Sequence, residues 1–412
     1  MTIENVTTVL KETIAQTLGN EYMQTVGDLT NIDSAKLVDI GTAIQNTNGS
    51  SNVNLGVDIA LKTMLDVIGR IILEQKRYQS TMPRLWIDNR EWGGYLVRYY
   101  FGLGNVMNDE MWNPDGFIDY FETGGVAEAQ RISAIEHGYY KVPVSGKVFK
   151  QVFSHMIPIT TLRDQFFTAF QSMTQLNEFL SAIQTSIQNT IEVLAEAKAH
   201  ALVCSGIAKA HILQNERNLL TEFNDINGTS LTAVQALNNK DFLAYALAEI
   251  DLVRSNFRRI TSAYSNSDNN NLSFTTDDDW RLMLLSQFVN KSKFLVRANT
   301  FNENMLGIGD YDEVTAWQAF TADQTTAFDY GTEATVAMTG ASASKLGGEN
   351  ANLTISNVIG VAYDRRAMGI TLNKEKATTQ YTASRDSWNS FYHCIFEQIL
   401  DDNFKIVIFR IA

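Results

Sequence analysis

Glu196, His200 and Cys204 follow one another at intervals of four residues, so a helix would carry all three on one face. A carboxylate, an imidazole and a thiol in that order can ligate a metal ion or activate a nucleophile. Packing is the stronger reading. A free cysteine is commonly a small core residue. No third or fourth ligand stands nearby in sequence, and His211 lies too far along the helix to close the same site. Other chemistry is thinner still. DDDW at Asp277 and GDYDE at Gly309 lack the alternating oxygens and terminal glutamate of a calcium loop, and read as solvated turns. FGLGN at Phe101 and LGIGD at Leu306 offer only GxG, without the third glycine of a dinucleotide site. Nucleophile-elbow, phosphate-loop and zincin motifs do not occur. The basic pairs Arg258–Arg259 and Arg365–Arg366 suit surface salt bridges or, more interestingly, a subunit contact. The expectation is no catalytic residue, no cofactor and no metal.

The elements that carry these residues are legible from periodicity. Leu176, Phe179, Leu180, Ile183, Ile187, Ile191, Leu194, Ala201 and Leu202 keep helical spacing, which predicts one uninterrupted helix over residues 176 to 213. Its length would be about 55 Å. A second amphipathic helix is predicted over 57 to 77, and a third over 240 to 264 with Asn239 or Lys240 at its start. All four prolines, Pro83, Pro114, Pro143 and Pro158, fall in one stretch with the period-two run YYKVPVSGKVFKQVF, the pattern of edge strands in a long projecting excursion. WRLMLLS and FLVRANTF read as short buried strands about a turn or short helix, and YDEVTAWQAF as a strand. LTISNVIGVAYD and FKIVIFRI are strands, the latter apolar on both faces. Residues 321 to 352 look like a surface loop or hairpin.

Composition narrows the function classes. The chain has 412 residues, 45% hydrophobic and 19% charged, enough apolar surface for more than one core. Its 33 basic and 46 acidic residues give a net charge of −13, which excludes a dedicated nucleic-acid binder. Cys204 and Cys394 cannot build a disulfide framework and imply a reducing compartment. MTIENVTTVLKETIAQ has no signal-peptide pattern, and no apolar run approaches the ~20 residues of a membrane span. Residues 1 to 55 end in QNTNGSSNVNLG and read as an arm whose stripe Val6, Leu10, Ile14 and Leu18 becomes ordered against a neighbouring subunit; folding back on its own subunit is the alternative.

This order of arm, helix, long β excursion, very long helix, mixed domain and returning strands resembles the major capsid proteins of tailed bacteriophages, with the HK97-like fold. The segment VIGVAYDRRAMGITLNKEKATTQYTASRDSWNSFYHCIFEQILDDNFKIVIFRIA carries most of the likeness, a strand followed by a charged, aromatic-containing hairpin and a final strand. DDDWRLMLLSQFVNKSKFLVRANTF resembles the axial-domain segment in which a strand precedes a short helix. The likeness is greatest to small podophages of the phi29-like kind.

The resemblance implies an α+β fold divided into an N-terminal arm (1–55), an N-terminal helix and lead-in (56–83), an E-loop with peripheral-domain strands (84–160), a spine-helix region (161–219), an axial domain (220–352) and return strands of the peripheral domain (353–412). It implies self-assembly, as hexamers and pentamers, into an icosahedral head. That head would enclose double-stranded DNA without reading its sequence, with a portal protein and a scaffolding protein as partners and no membrane. Location would be the virion, after synthesis in the bacterial host cytoplasm. An encapsulin-like shell, another virion structural protein and an unfamiliar enzyme are the alternatives. Some members crosslink an E-loop lysine; Lys141, Lys147 and Lys150 are available, and no bond is nominated. Aromatic residues are enriched where interfaces are energetically hot. Trp86, Trp92, Tyr95, Tyr99, Tyr100 and Phe101 in the proline-flanked excursion, with Arg365 and Arg366, are therefore the intersubunit contact candidates, unless they pack under their own domain.

Overall fold

The structure is a computed structural model that describes residues 10–16, 18, 34–46, 82–86, 96–101, 144–149, 151–169, 171–266, 272–297, 311–318, 334–348 and 351–412. In chain order the elements are α1 (Ser34–Asn46), β1 (Leu96–Phe101), β2 (Val144–Phe149), β3 (Gln151–Leu162), α2 (Arg163–Ala169), α3 (Met173–Ile212) and β4 (Glu216–Asn218). Then follow α4 (Leu219–Asn227), α5 (Ala233–Ala236), α6 (Lys240–Phe257), β5 (Trp280–Leu285), α7 (Ser286–Arg297), β6 (Asp312–Val314) and β7 (Val336–Met338). The chain closes with α8 (Gly340–Lys345), β8 (Leu353–Ile355), β9 (Val358–Asp364), β10 (Met368–Thr382), β11 (Ser387–Leu400) and β12 (Ile406–Arg410). Helix is also present at residues 10–16.

The long helix exists, and α3 runs for 40 residues, about 60 Å. Ser172 starts it by accepting the backbone N–H of Gln175 at 3.2 Å. Its buried stripe, Leu176, Leu180, Ile187, Ile191, Ala195, Ala199, Val203 and Ile207, narrows to alanine at 195 and 199, and Gly206 stands near its end. There β10 comes so close that a Cβ on Gly206 would lie 2.2 Å from the sulfur of Met368.

Two sheets use this helix. The three-stranded sheet has the order β10-β11-β3, all antiparallel, and pairs Gln151–Leu162 with Ser387–Gln398. Pro158 sits in its edge strand, where a missing N–H costs no ladder bond. The five-stranded sheet has the order β4-β12-β9-β5-β6 and separates two apolar cores. Alternate residues of each central strand point to opposite sides. Val361, Ile408 and Met283 join the core of α3, whereas Ala362, Phe409 and Leu284 join the core of α4, α6 and α7. This explains why VIGVAYD is apolar at every position to the aspartate: β9 is buried on both faces.

Several expectations need correction. FLVR is the end of α7, because Phe288, Val289 and Ser292 are buried at helical spacing and the segment lacks a turn to release it. Among its described residues, YDEVTAWQAF contributes only the three of β6; Trp317 leaves the strand line and is fully buried, donating from Nε1 to the carbonyl of Val358 at 2.8 Å. The third helix ends at Phe257 rather than 264, because Lys405 closes it. The Lys405 Nζ donates to the carbonyls of Phe257 at 3.0 Å and Arg259 at 2.7 Å. The described part of the arm's apolar stripe is covered within its own chain, while Val6 lies outside the described residues. Leu10 and Ile14, with Leu37, Ile40 and Ile44 of α1, are buried in the core of α3, and Leu18 packs against it. The helix expected at 57 to 77 and most of the projecting excursion lie outside the described residues.

Candidate assembly surface

β1 and β2 form a two-stranded antiparallel ribbon that pairs Leu96 with Phe149 and Phe101 with Val144. Strand alternation gives it two unlike faces. Val97, Tyr99, Val144 and Val148 point outward, with Tyr99 68% exposed. Val97 lies opposite Val148, and Tyr99 lies opposite Gly146, where an added Cβ would stand 3.4 Å from the ring. The inward face carries Arg98, Tyr100, Lys147 and the buried Phe149. For a protein acting alone this arrangement is inside out: polar groups face the body and apolar ones face solvent.

The inward face meets the turn between β11 and β12. Asp401 is fully buried there and receives Arg98 at 3.1 Å, the Tyr100 hydroxyl, and Lys147 at 3.7 Å. Asp402 takes the Lys147 ammonium in a direct hydrogen bond, Lys209 of α3 at 3.2 Å and the Asn266 amide at 3.1 Å. Burial alone would raise the Asp402 pKa, but Lys147, Lys209 and Asn266 hold it below the ordinary value. Tyr100 is pushed well up by burial and by its bond to Asp401. Phe404 underlies the junction, with the guanidinium of Arg366 at 4.6 Å and that of Arg98 at 5.6 Å from its ring centre.

The contact candidates separate accordingly. Tyr99 is exposed and so is Arg365, whose backbone N–H donates to Asp279 at 2.8 Å. Tyr100 is held internally. Arg366 forms a two-point pair with the fully buried Asp364 at 2.9 Å for both bonds. Trp86 is half-buried, bridges to Ile370 and meets Phe396 edge to face at 6.3 Å. Trp92, Tyr95 and the side chain of Phe101 lie outside the described residues. The outward valines and Asp401 were not singled out from sequence. The alternation of LVRYYF and VSGKVF carried the signal for the valines; nothing local pointed to the ion pairs.

Glu196, His200 and Cys204 do share a face, and its work is packing. His200 Nδ1 lies 3.0 Å and Cys204 Sγ 3.1 Å from the same carbonyl, that of Trp317. Glu196 lies 3.6 Å from His200 Nε2. Burial pushes the Cys204 thiol up to about 12, far from a reactive thiolate. Among the described residues no group of three His, Cys, Asp or Glu is gathered as a metal site, and none of their helices is long and apolar enough to cross a membrane. At the start of α3 an open groove of about 730 Å³ is lined by Ile159, Ala169, Phe179 and Ile183, with Asp164 and Glu178 beside them.

These features define an α+β chain with an exposed apolar ribbon face, in which the residues of catalytic type hold the core. Comparison with known proteins supplies the family. A sequence model of the Phi29-like phage major capsid protein family matches residues 12–395, so the chain belongs to that family. It is a bacteriophage major capsid protein, a structural component of the head shell and not an enzyme. No curated protein sequence matches it. Among solved structures, it is similar to a chain in the capsid of Staphylococcus phage Andhra, with 13% identity, TM-score 0.46, and 80% of this chain and 83% of that one covered. A chain in the structure of the head fiber and inner core protein gp22 of native bacteriophage P68 gives 11%, 0.46, 81% and 85%. One in the head of Helicobacter pylori bacteriophage KHP40 gives 8%, 0.38, 82% and 92%.

Proposed function

We propose that copies of this chain close as hexamers and pentamers into an icosahedral head around double-stranded DNA, with a portal protein and a scaffolding protein as partners. Synthesis takes place in the host cytoplasm and the mature location is the virion. The ribbon supports this reading most directly, because an exposed row of Val97, Tyr99, Val144 and Val148 over a charged inner face suits a surface covered by another copy. Its net charge of −13 suits a container that encloses DNA without binding it tightly. In this scheme residues 1–55 act as the arm, 84–160 as the E-loop with its adjoining strands, 161–219 as the spine, 220–352 as the axial domain and 353–412 as the peripheral return. Tyr99 and Arg365 are the described candidates that face a neighbour, and Trp92, Tyr95 and Phe101 remain candidates by residue type. Size-exclusion chromatography with negative-stain microscopy tests the proposal. Rings of five or six subunits or closed shells are expected; a small discrete oligomer at every concentration would refute it.

A further inference from the structure

The ribbon register places Arg98 directly opposite Lys147 on the inward face. Like charges facing each other across a strand pair oppose the pairing. Here the repulsion is cancelled from outside the ribbon, because Asp401 lies between them, 3.1 Å from Arg98 and 3.7 Å from Lys147. The next residue draws in a second element: Asp402 joins Lys147 to Lys209, near the end of α3. Asp401 is itself fixed. Its backbone N–H donates to Ala367 at 2.7 Å, and Asn403 donates to its Oδ1 from both backbone and side chain at 3.3 Å. On the ribbon side, Arg98 also reaches the carbonyl of Arg366, and Tyr100 adds its hydroxyl to Asp401. Docking of the ribbon and the pairing of its own strands therefore depend on the same two carboxylates.

We infer that the Asp401–Asp402 turn is an ionic latch, which holds the β1–β2 ribbon against the body and can release it while the two cores stay folded. The cores that flank β9 and β12 are apolar and include none of the charged side chains of the latch; its turn meets one of them through Phe404. Loss of the latch frees the ribbon's inner face and leaves the five-stranded sheet in place. The orientation of the outward apolar face is thereby set by charge together with the packing of Tyr100 and Phe149.

Hydrogen exchange of the full-length free subunit tests this, reading amides of β1 and β2 against those of β9 and β12. Asp401→Asn should speed exchange in the ribbon at least about tenfold and leave β9 and β12 within about twofold of wild type. Tyr100→Phe keeps every charge and should have a smaller effect. Wild-type protection of the ribbon in Asp401→Asn, or a larger effect from Tyr100→Phe, would overturn the latch. Should Asp401→Asn lose protection throughout the molecule, Asp401→Asn with Lys147→Met decides. That pair removes the uncancelled repulsion, so ribbon protection should recover to within about threefold of wild type. Absence of recovery overturns the inference.

Discussion

Charging the outward face of the ribbon should abolish shells and spare the subunit. Tyr99 is 68% exposed; burying that much of a ring of about 200 Å² removes about 140 Å² from water, or about 3 kcal/mol at 25 cal/mol per Å². Val97, Val144 and Val148 are each about half exposed and contribute about 1 kcal/mol apiece when covered. The face thus offers on the order of 6 kcal/mol per subunit before the entropy of association is subtracted. Tyr99→Asp with Val148→Asp forfeits most of this and adds desolvation of two carboxylates, several kcal/mol more. The same changes on an open surface alter subunit stability by only about 0.5 kcal/mol. Sedimentation velocity and negative-stain microscopy should therefore show free subunits at concentrations where wild type forms particles, with the thermal midpoint nearly unchanged. Shells forming at wild-type concentration would refute the reasoning. A large drop in thermal midpoint would instead mean that the face is covered within its own chain.

Lys405→Met should lower stability by about 1–3 kcal/mol, because it leaves the terminal carbonyls of α6 without their ammonium donor. Burial pushes the Lys405 pKa down from 10.5 to about 8, so between those values the unfolded chain binds the proton that the folded chain has lost. Wild-type stability relative to Lys405→Met should then rise with pH across that window by at most about 1.4 kcal/mol per unit, and a flat difference in urea unfolding would contradict the assignment. Gly360→Ala should cost about 1–3 kcal/mol by overpacking, since its Cβ would lie 2.7 Å from Leu284 Cδ2 and 3.2 Å from the Met283 carbonyl in the middle of the sheet; an unchanged melting temperature would argue against that close approach. Cys204→Ser and His200→Gln should each lower stability by about 1–3 kcal/mol without altering particle morphology. Stoichiometric zinc in wild-type protein, lost in both variants, would return that face to chemistry.

Legibility followed the range of the interaction. The α3 helix was readable because forty residues repeat one period and no proline interrupts it, and only three residues had to be added at its start. β12 was readable as a strand apolar on both faces, and β9 as a strand; the structure adds that β9 too is buried on both sides, because a partition between two cores leaves no polar side. Reading the end of α7 as a strand at FLVR failed where a three-residue apolar run fits either period and tertiary burial of Phe288, Val289 and Ser292 decides. The end of α6 depended on a lysine nearly 150 positions away, which no local rule can supply. The two-faced ribbon was written in its alternation. Recognising which face is inward required knowing that LDDNF forms the surface it meets.

The arm sharpens where assembly free energy has to come from. Residues 10–16 and α1 already place Leu10, Ile14, Leu37, Ile40 and Ile44 in the core of α3, with relative exposures of 1% or less. An apolar stripe buried within the subunit cannot also be the surface gained from a neighbour unless it first leaves that core. Leaving would cost about 1.5–3 kcal/mol for each large side chain, and an equivalent site on a second subunit would return no more than that, less the entropy of association. The exposed apolar ribbon carries no such cost, because Val97, Tyr99, Val144 and Val148 give up only water when covered. Contacts that hold the subunit together and contacts available to a neighbour are therefore separated in space. The described residues of the arm belong to the first group, and the ribbon's outer face to the second.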